Sequence, residues 1–157
     1  MTEKTCTLLL LVRDDEILLA QKKRGFGEGK WNGVGGKIEP DETIEQALVR
    51  ECQEEIGVTP TSYYKVAEHD FMQEEVEPWR MYVHAYICTE WEGEPTESEE
   101  MAPLWFKISD IPYADMWSDD EYWLPLVLDG KKLRGTFTFD AQNELLTHEV
   151  TEVISLD

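Results

Sequence analysis

The segment Gly36-Lys37-Ile38-Glu39-Pro40-Asp41-Glu42, then seven residues, then Arg50-Glu51-Cys52-Gln53-Glu54-Glu55-Ile56-Gly57-Val58, constrains this chain more than any other stretch. Thr43 and Gln46 form a capping-box pattern, and Ile44, Ala47, Leu48, Cys52 and Ile56 recur at intervals of three and four. The spacing predicts an amphipathic helix from about Thr43 to about Ile56. Gly57 stands where a left-handed cap closes such a helix. Glu51, Glu54 and Glu55 occupy positions i, i+3 and i+4 of its last two turns, which places their Cβ atoms about 5–6 Å apart on one face. Like charges so placed repel, and a divalent cation that favours oxygen ligands, Mg²⁺ or Mn²⁺, resolves the repulsion.

A solvated acidic face is the plainer reading of three glutamates at a helix end. The lead-in favours a site, because Gly33, Gly35 and Gly36 let the backbone press against phosphate or metal. Two better-known phosphate loops are excluded: Ile38 stands where the dinucleotide fingerprint requires its third Gly, and no Gly-Lys pair precedes Ser or Thr.

The block resembles the motif of the Nudix hydrolase family: a glycine, five residues, Glu, seven residues, Arg-Glu, an apolar residue, any residue, Glu-Glu, any residue, glycine and an apolar residue. Every fixed position is met, and seven such matches coincide by chance on the order of once in 10⁹ windows. Cys52 stands where a branched aliphatic residue is usual, and a buried thiol serves as a small hydrophobe. The resemblance implies a Nudix fold, α+β, with a mixed β-sheet core flanked by helices as an α/β/α sandwich. It also implies hydrolysis of a diphosphate linkage. The implied catalytic set is Glu51, Glu54, Glu55 and Arg50, with Glu55 as metal ligand, Glu54 or Glu51 assisting with the proton, and Arg50 orienting a glutamate. The implied metal shell adds the Gly36 carbonyl and a distal glutamate, Glu100, whose run Glu97 to Glu100 reads equally as a water-facing surface.

Motifs outside the block carry the likeness further. Lys22-Lys23-Arg24-Gly25-Phe26-Gly27, Lys30-Trp31-Asn32-Gly33, Asp115-Met116-Trp117 and Asp119-Asp120 with Tyr122-Trp123 resemble the MutT-homologue group, which destroys oxidised purine nucleoside triphosphates. On that resemblance Asn32, Asp119 and Asp120 read the purine by hydrogen bonds and Trp117 stacks on it. Oxidation of guanine at C8 turns N7 from an acceptor into an N–H donor, so a carboxylate there accepts from the damaged base and faces an acceptor in the normal one. A site built around such a bond discriminates by up to about 10⁴-fold. Two adjacent buried aspartates do not both stay ionised, so one donates when protonated. Two structural alternatives stand beside this: a helix N-cap for the Asp pair, and core packing for Trp117. Lys22, in the densest basic run, is a candidate phosphate contact, while Lys23 and Arg24 read equally as solubilising charges at a strand end. Phe26, a candidate substrate contact, either walls the pocket with Phe71, Met81, Trp123 and Phe139 or fills the interior.

The chain of 157 residues suits one domain, 1–157, with a proper core. Its 34 acidic and 14 basic residues give a formal charge of −20, which argues against a nucleic-acid polymer as partner. A small nucleotide carried by a metal is a different case, since the cation offsets its charge. The longest apolar run, Leu8 to Val12, is a buried strand and far too short to span a membrane, for which about 20 residues are needed. Cys6, Cys52 and Cys88 lie in apolar segments without metal-like spacing, an arrangement of reduced thiols that points to the cytoplasm. The C-terminal strands can pair within or between chains, so both monomer and homodimer stay open.

Strands are expected at Thr5 to Val12, Ile17 to Lys22, Tyr63 to Met72, Met81 to Thr89, Leu104 to Ile108, Leu133 to Asp140 and Leu145 to Val153. A second, shorter helix is expected from Tyr122 to near Gly130, with Pro125 in its first turn or so. The leading functional expectation is Mg²⁺-dependent hydrolysis of oxidised purine nucleoside triphosphates of the 8-oxo-dGTP type to monophosphate and pyrophosphate. A Nudix hydrolase of another nucleotide and a non-catalytic nucleotide-sensing domain are the alternatives.

Overall fold

The computed structural model describes residues 1–156. In chain order the elements are β1 (Thr2–Arg13), β2 (Glu16–Lys22), β3 (Trp31–Asn32), α1 (Ile44–Ile56), β4 (Thr59–Gln73), β5 (Trp79–Glu92), β6 (Met101–Lys107), α2 (Asp120–Leu128), β7 (Lys132–Phe139) and β8 (Leu145–Val153). The eight strands form one sheet in the order β3-β2-β1-β5-β4-β7-β8, with β6 on the other edge of β2. β1 runs parallel to β5 and β4 parallel to β7, so the sheet is mixed.

Alternation along β1 explains the layers. Leu10 packs with Leu19, Ile87 and the α2 residues Trp123, Leu124 and Val127 on one face. Leu9 and Leu11 pack with Leu18, Cys88 and the α1 residues Leu48, Cys52 and Ile56 on the other. Successive strand residues point to opposite faces, so one strand feeds both cores and the helices cover the sheet from either side. Each fully buried Leu or Ile contributes roughly 1.5–3 kcal/mol. The expected α/β/α sandwich is the observed one.

The α1 signals are realised. Gln46 N–H donates to Thr43 Oγ1 at 3.1 Å, and the Gln46 side chain accepts from Thr43 N–H at 2.9 Å. Gly57 closes the helix at φ 70°, its amide bonded to the Gln53 carbonyl. In α2 the expectation needs correction. The helix begins at Asp120, and Pro125 is the sixth of its nine residues rather than a first-turn residue. Proline gives up one intrahelical bond there, and burial of Trp123, Leu124 and Val127 on either side of it holds the turn in place.

Several strands are longer than their apolar runs because pairing recruits polar residues: Thr2, Glu3 and Lys4 of β1 sit opposite Trp79, Arg80 and Met81 of β5. β3 lacks a run of its own and is held by the register Ala20↔Asn32 and Gln21↔Trp31. Pro103 lies in β6, which pairs with β2 alone, the edge position where a missing N–H is tolerated.

Candidate active site

The loop after β3 lies against β1 and the inner face of α1. Leu9 and Val34 exchange backbone hydrogen bonds, and Thr7 N–H donates to the Gly36 carbonyl at 2.9 Å. That anchoring delivers Gly35 N–H to Glu55 Oε1 at 2.7 Å. Glu55 is only 7% exposed. Burial, partly offset by the Gly35 bond, pushes its carboxyl up to about 7. At Gly36 a Cβ would lie 2.6 Å from the Glu51 carboxyl carbon, so the absent side chain is the space that carboxylate occupies.

Arg50 gathers the remaining acids. Its guanidinium donates to Glu42 at 2.7 and 2.9 Å, to Glu51 Oε1 at 2.8 Å, to Glu54 Oε2 at 3.2 Å and to the Lys37 carbonyl. The Arg50 bonds hold the Glu42 carboxyl down at about 2. Burial raises Glu51 despite the same neighbour. The repulsion among the glutamates is therefore relieved in part by Arg50, which the charge argument from sequence left out. Glu54 turns its side chain to solvent, whereas Glu51 and Glu55 face inward.

Among the described residues no three His, Cys, Asp or Glu side chains converge closely enough to hold an ion by themselves. By donor type the site fits a hard divalent cation: carboxylates at Glu51, Glu54 and Glu55 and a main-chain carbonyl at Gly36 are all oxygen. Of these three glutamates Glu55 is the buried one, and its carboxylate supplies charge that such an ion favours. Glu100 pairs with Arg24 at 2.8 Å, close enough for its charge to bear on Glu55.

A cavity of about 310 Å³ opens from this point. Lys22, Gly35, Gly36, Lys37 and Glu55 line one end. Phe26, Asn32, Trp117, Asp119, Asp120 and Trp123 line the other. Phe26 and Trp117 meet at 5.1 Å between centroids, and Trp79 and Phe139 extend the same aromatic wall. Gly27 lies beneath Trp117, with φ 82° and space for a Cβ only 3.3 Å from the indole nitrogen.

Asp119 and Asp120 are each 4% exposed. Asp119 makes no capping bond with its side chain, so the N-cap alternative does not hold; it accepts instead from Trp123 Nε1 at 2.8 Å. Asp120 Oδ2 is buried and has no hydrogen-bond partner among the described residues. Burial raises both carboxyls, and the negative charge of Asp119 raises Asp120 further. Asn32 turns its Oδ1 to the Gly33 amide at 2.9 Å.

The structure thus gathers Lys22, Phe26, Asn32, Gly36, Glu55, Trp117, Asp119 and Asp120 on one cavity. Lys23 and Arg24 turn away: Lys23 pairs with Glu97 and donates to the Ser98 carbonyl, and Arg24 pairs with Glu99 and Glu100. Sequence reasoning gave no role to Lys4, Lys30, Lys37 or Trp79, which also line the cavity. Lys30 and Lys37 stand inside the motifs Lys30-Trp31-Asn32-Gly33 and Gly36-Lys37-Ile38-Glu39, and that placement is the signal that points to them. Glu42, the first of the motif's four fixed glutamates, owes its role to the pairing with Arg50, which sequence reasoning did not foresee.

Residues 2–127 match the NUDIX domain. The chain is 45% identical over 155 residues to the oxidized purine nucleoside triphosphate hydrolase of Danio rerio, covering 99% of each. It is 44% identical over 154 residues to the protein of that name from Mus musculus, covering 98% of each. Among solved structures, the MutT protein of Bacillus halodurans superposes with a TM-score of 0.82 at 29% identity, over 94% of this chain and 97% of that one.

Proposed function

Because the chain belongs to the Nudix family, we propose that it hydrolyses oxidised purine nucleoside triphosphates of the 8-oxo-dGTP type to the monophosphate and pyrophosphate. A single cavity carries this reading: a buried carboxylate and glycine amides stand at one end, and an aromatic wall with two buried aspartates stands at the other. A triphosphate belongs at the first end and a purine at the second. The two hydrolases from Danio rerio and Mus musculus support the assignment over nearly their whole length.

Glu51, Glu54, Glu55 and the Gly36 carbonyl would hold the divalent cation, Mg²⁺ with Mn²⁺ as a substitute, which when bound screens phosphate charge and orients the attacking water. Arg50 fixes Glu51 through its fork. Glu55 stays anchored by Gly35 N–H while Glu54 or Glu51 assists in taking the proton of the attacking water. Lys22 contacts phosphate, and burial of the linkage between loop and helix excludes bulk water. At the other end Trp117 and Phe26 stack on the purine, while Asn32, Asp119 and Asp120 read its edge. The enzyme acts on the free nucleotide in the cytoplasm.

Pyrophosphate release from a panel of normal and oxidised nucleoside triphosphates with Mg²⁺ tests the reading. The expected result is fast turnover of 8-oxo-dGTP, with Glu55→Gln losing 10²-fold or more in kcat while retaining nucleotide binding. A protein that ignores 8-oxo-dGTP and cleaves another diphosphate overturns it.

A further inference from the structure

Trp79, Met81 and Val83 stand at alternate positions of β5 and all line the cavity, so one face of that strand supplies part of its wall. Trp79, the first residue of β5, ends the row. Its ring completes a closed circuit. Phe26 lies 5.8 Å from Trp79, Trp79 5.6 Å from Phe139, Phe139 5.8 Å from Trp117 and Trp117 5.1 Å from Phe26, centroid to centroid. All four distances fall in the range where aromatic pairs attract, about 4.5–7 Å.

The members of this circuit are not held equally. Phe139 is buried on β7 at 2% exposure, whereas Phe26 is 48% exposed in the loop between β2 and β3. Its neighbours Gly25 and Gly27 are both left-handed, at φ 81° and 82°. A loop of that kind does little to fix a side chain, so the Phe26 ring depends on the rings it meets, Trp117 and Trp79. A purine that stacks on both Trp117 and Phe26 comes between them and separates that pair. The Phe26–Trp79 contact is the one that can persist once the base is in place.

Trp79 is itself secured from a distance. Its indole N–H donates to Asn143 Oδ1 at 3.3 Å. Asn143 sits at φ 62° in the turn between β7 and β8, its amide bonded to the Asp140 carbonyl at 2.9 Å. Asp140 Oδ1 accepts from the Gln142 and Glu144 amides at 2.9 and 3.0 Å, which stiffens the turn. Ala141 N–H donates to Glu75 Oε2 at 3.2 Å, which ties the turn to the segment leading into Trp79.

Resting on the function proposed above, we propose that Trp79 is a positioning residue for the purine: held by Asn143, it supports Phe26 at the aromatic end of the cavity and so raises affinity for the base through Phe26. Preorganising a mobile ring lowers the entropy lost on binding, and the support stands at the opposite end from the glutamates.

The experiment compares wild type, Trp79→Leu, Trp79→Phe, Phe26→Ala and the combination of Trp79→Leu with Phe26→Ala, with thermal unfolding as a check on folding. Two probes are titrated: 8-oxo-dGMP, which carries the base, and magnesium pyrophosphate, which does not. Trp79→Leu is expected to raise KM for 8-oxo-dGTP and Kd for 8-oxo-dGMP about tenfold, with kcat and the pyrophosphate Kd within about twofold of wild type, because the lost support is remote from the bond that breaks. Trp79→Phe keeps a ring there and is expected to recover most of the loss. In the combined variant the two losses are expected not to multiply, since Trp79 acts through Phe26. An unchanged Kd for 8-oxo-dGMP, equal weakening of both probes, or losses that multiply overturn the inference and leave the proposed function intact. A wild-type protein that neither binds 8-oxo-dGMP nor cleaves 8-oxo-dGTP overturns both. Should Trp79→Leu fold poorly, Asn143→Ala decides: it is expected to weaken 8-oxo-dGMP about threefold and spare pyrophosphate, and no change overturns the inference.

Discussion

The amide of Gly35 donates a 2.7 Å hydrogen bond to Glu55 Oε1, joining a loop residue to a helix residue 20 positions later. Beside it, the missing side chain of Gly36 leaves the Glu51 carboxylate its place. Loop and helix are therefore one unit, and a methyl group at position 36 tests it. Gly36→Ala keeps the carbonyl and asks Glu51 to move. We expect kcat/KM for the preferred triphosphate to fall 10²-fold or more, with a shift of only a few degrees in Tm. Steady-state kinetics set beside thermal unfolding decide this, and a loss of folding in step with activity would contradict it.

Arg50 serves Glu42, Glu51 and Glu54 from one planar fork. Lysine retains the charge and cannot reproduce the geometry. For Arg50→Lys the expected outcome is a 10-fold to 10²-fold decrease in kcat and a stability loss of about 1–2 kcal/mol from the weakened charged hydrogen bonds. Urea unfolding and turnover measure the two effects separately. Near-normal kcat would show that charge alone suffices.

Asp119 accepts from Trp123 Nε1 at 2.8 Å, a bond that an amide oxygen can also accept. Asp119→Asn should consequently leave Tm almost unchanged and cut the preference for oxidised over normal purines. Competition assays with paired nucleotides report the ratio. Equal losses on both would make the residue structural.

His69 is 3% exposed, and neither ring nitrogen has a hydrogen-bond partner among the described residues. Burial among Trp123, Phe71 and Phe137 lowers it to about 4 from 6.5. The unfolded chain binds this proton below about pH 6.5 and the folded one resists it until about pH 4, so stability falls as pH drops through that window, by up to about 3 kcal/mol. His69→Leu removes both the unpaired polar atoms and the titration. The variant should match or exceed wild-type stability at pH 7.5 and be clearly more stable at pH 5. Denaturant unfolding at the two pH values checks it, and identical acid sensitivity would locate the effect elsewhere.

The parts of this molecule written in local pattern could be read from the residues alone. Thr43, Gln46 and Gly57 bound α1 because capping involves neighbours in sequence, and β8 was found over its observed span because its turn residues flank it. The family motif marked Glu55 and Gly36, and the outer motifs marked Phe26, Asn32, Trp117, Asp119 and Asp120, which line the far end of the same cavity. What escaped depends on distant pairing. β3 exists only through β2, Trp79 reaches the cavity from the start of β5, and Pro125 sits mid-helix because tertiary burial holds the turn. The buried His69 looked like any polar residue within a strand. It sits opposite Gly135 on β7, where an added Cβ would lie 2.7 Å from its ring, a fit that no local window contains.

Phe139 reaches the cavity from β7, beyond residues 2–127 that match the NUDIX domain, and the Leu145 amide of β8 is tied to Ser118 Oγ at 3.0 Å. Part of the cavity wall thus comes from outside the stretch that carries the glutamate motif. Exchanging the C-terminal hairpin for that of a relative would retune admission to the slot while leaving the hydrolytic machinery as it was. New nucleotide preferences are therefore within reach of a fold whose chemistry stays constant.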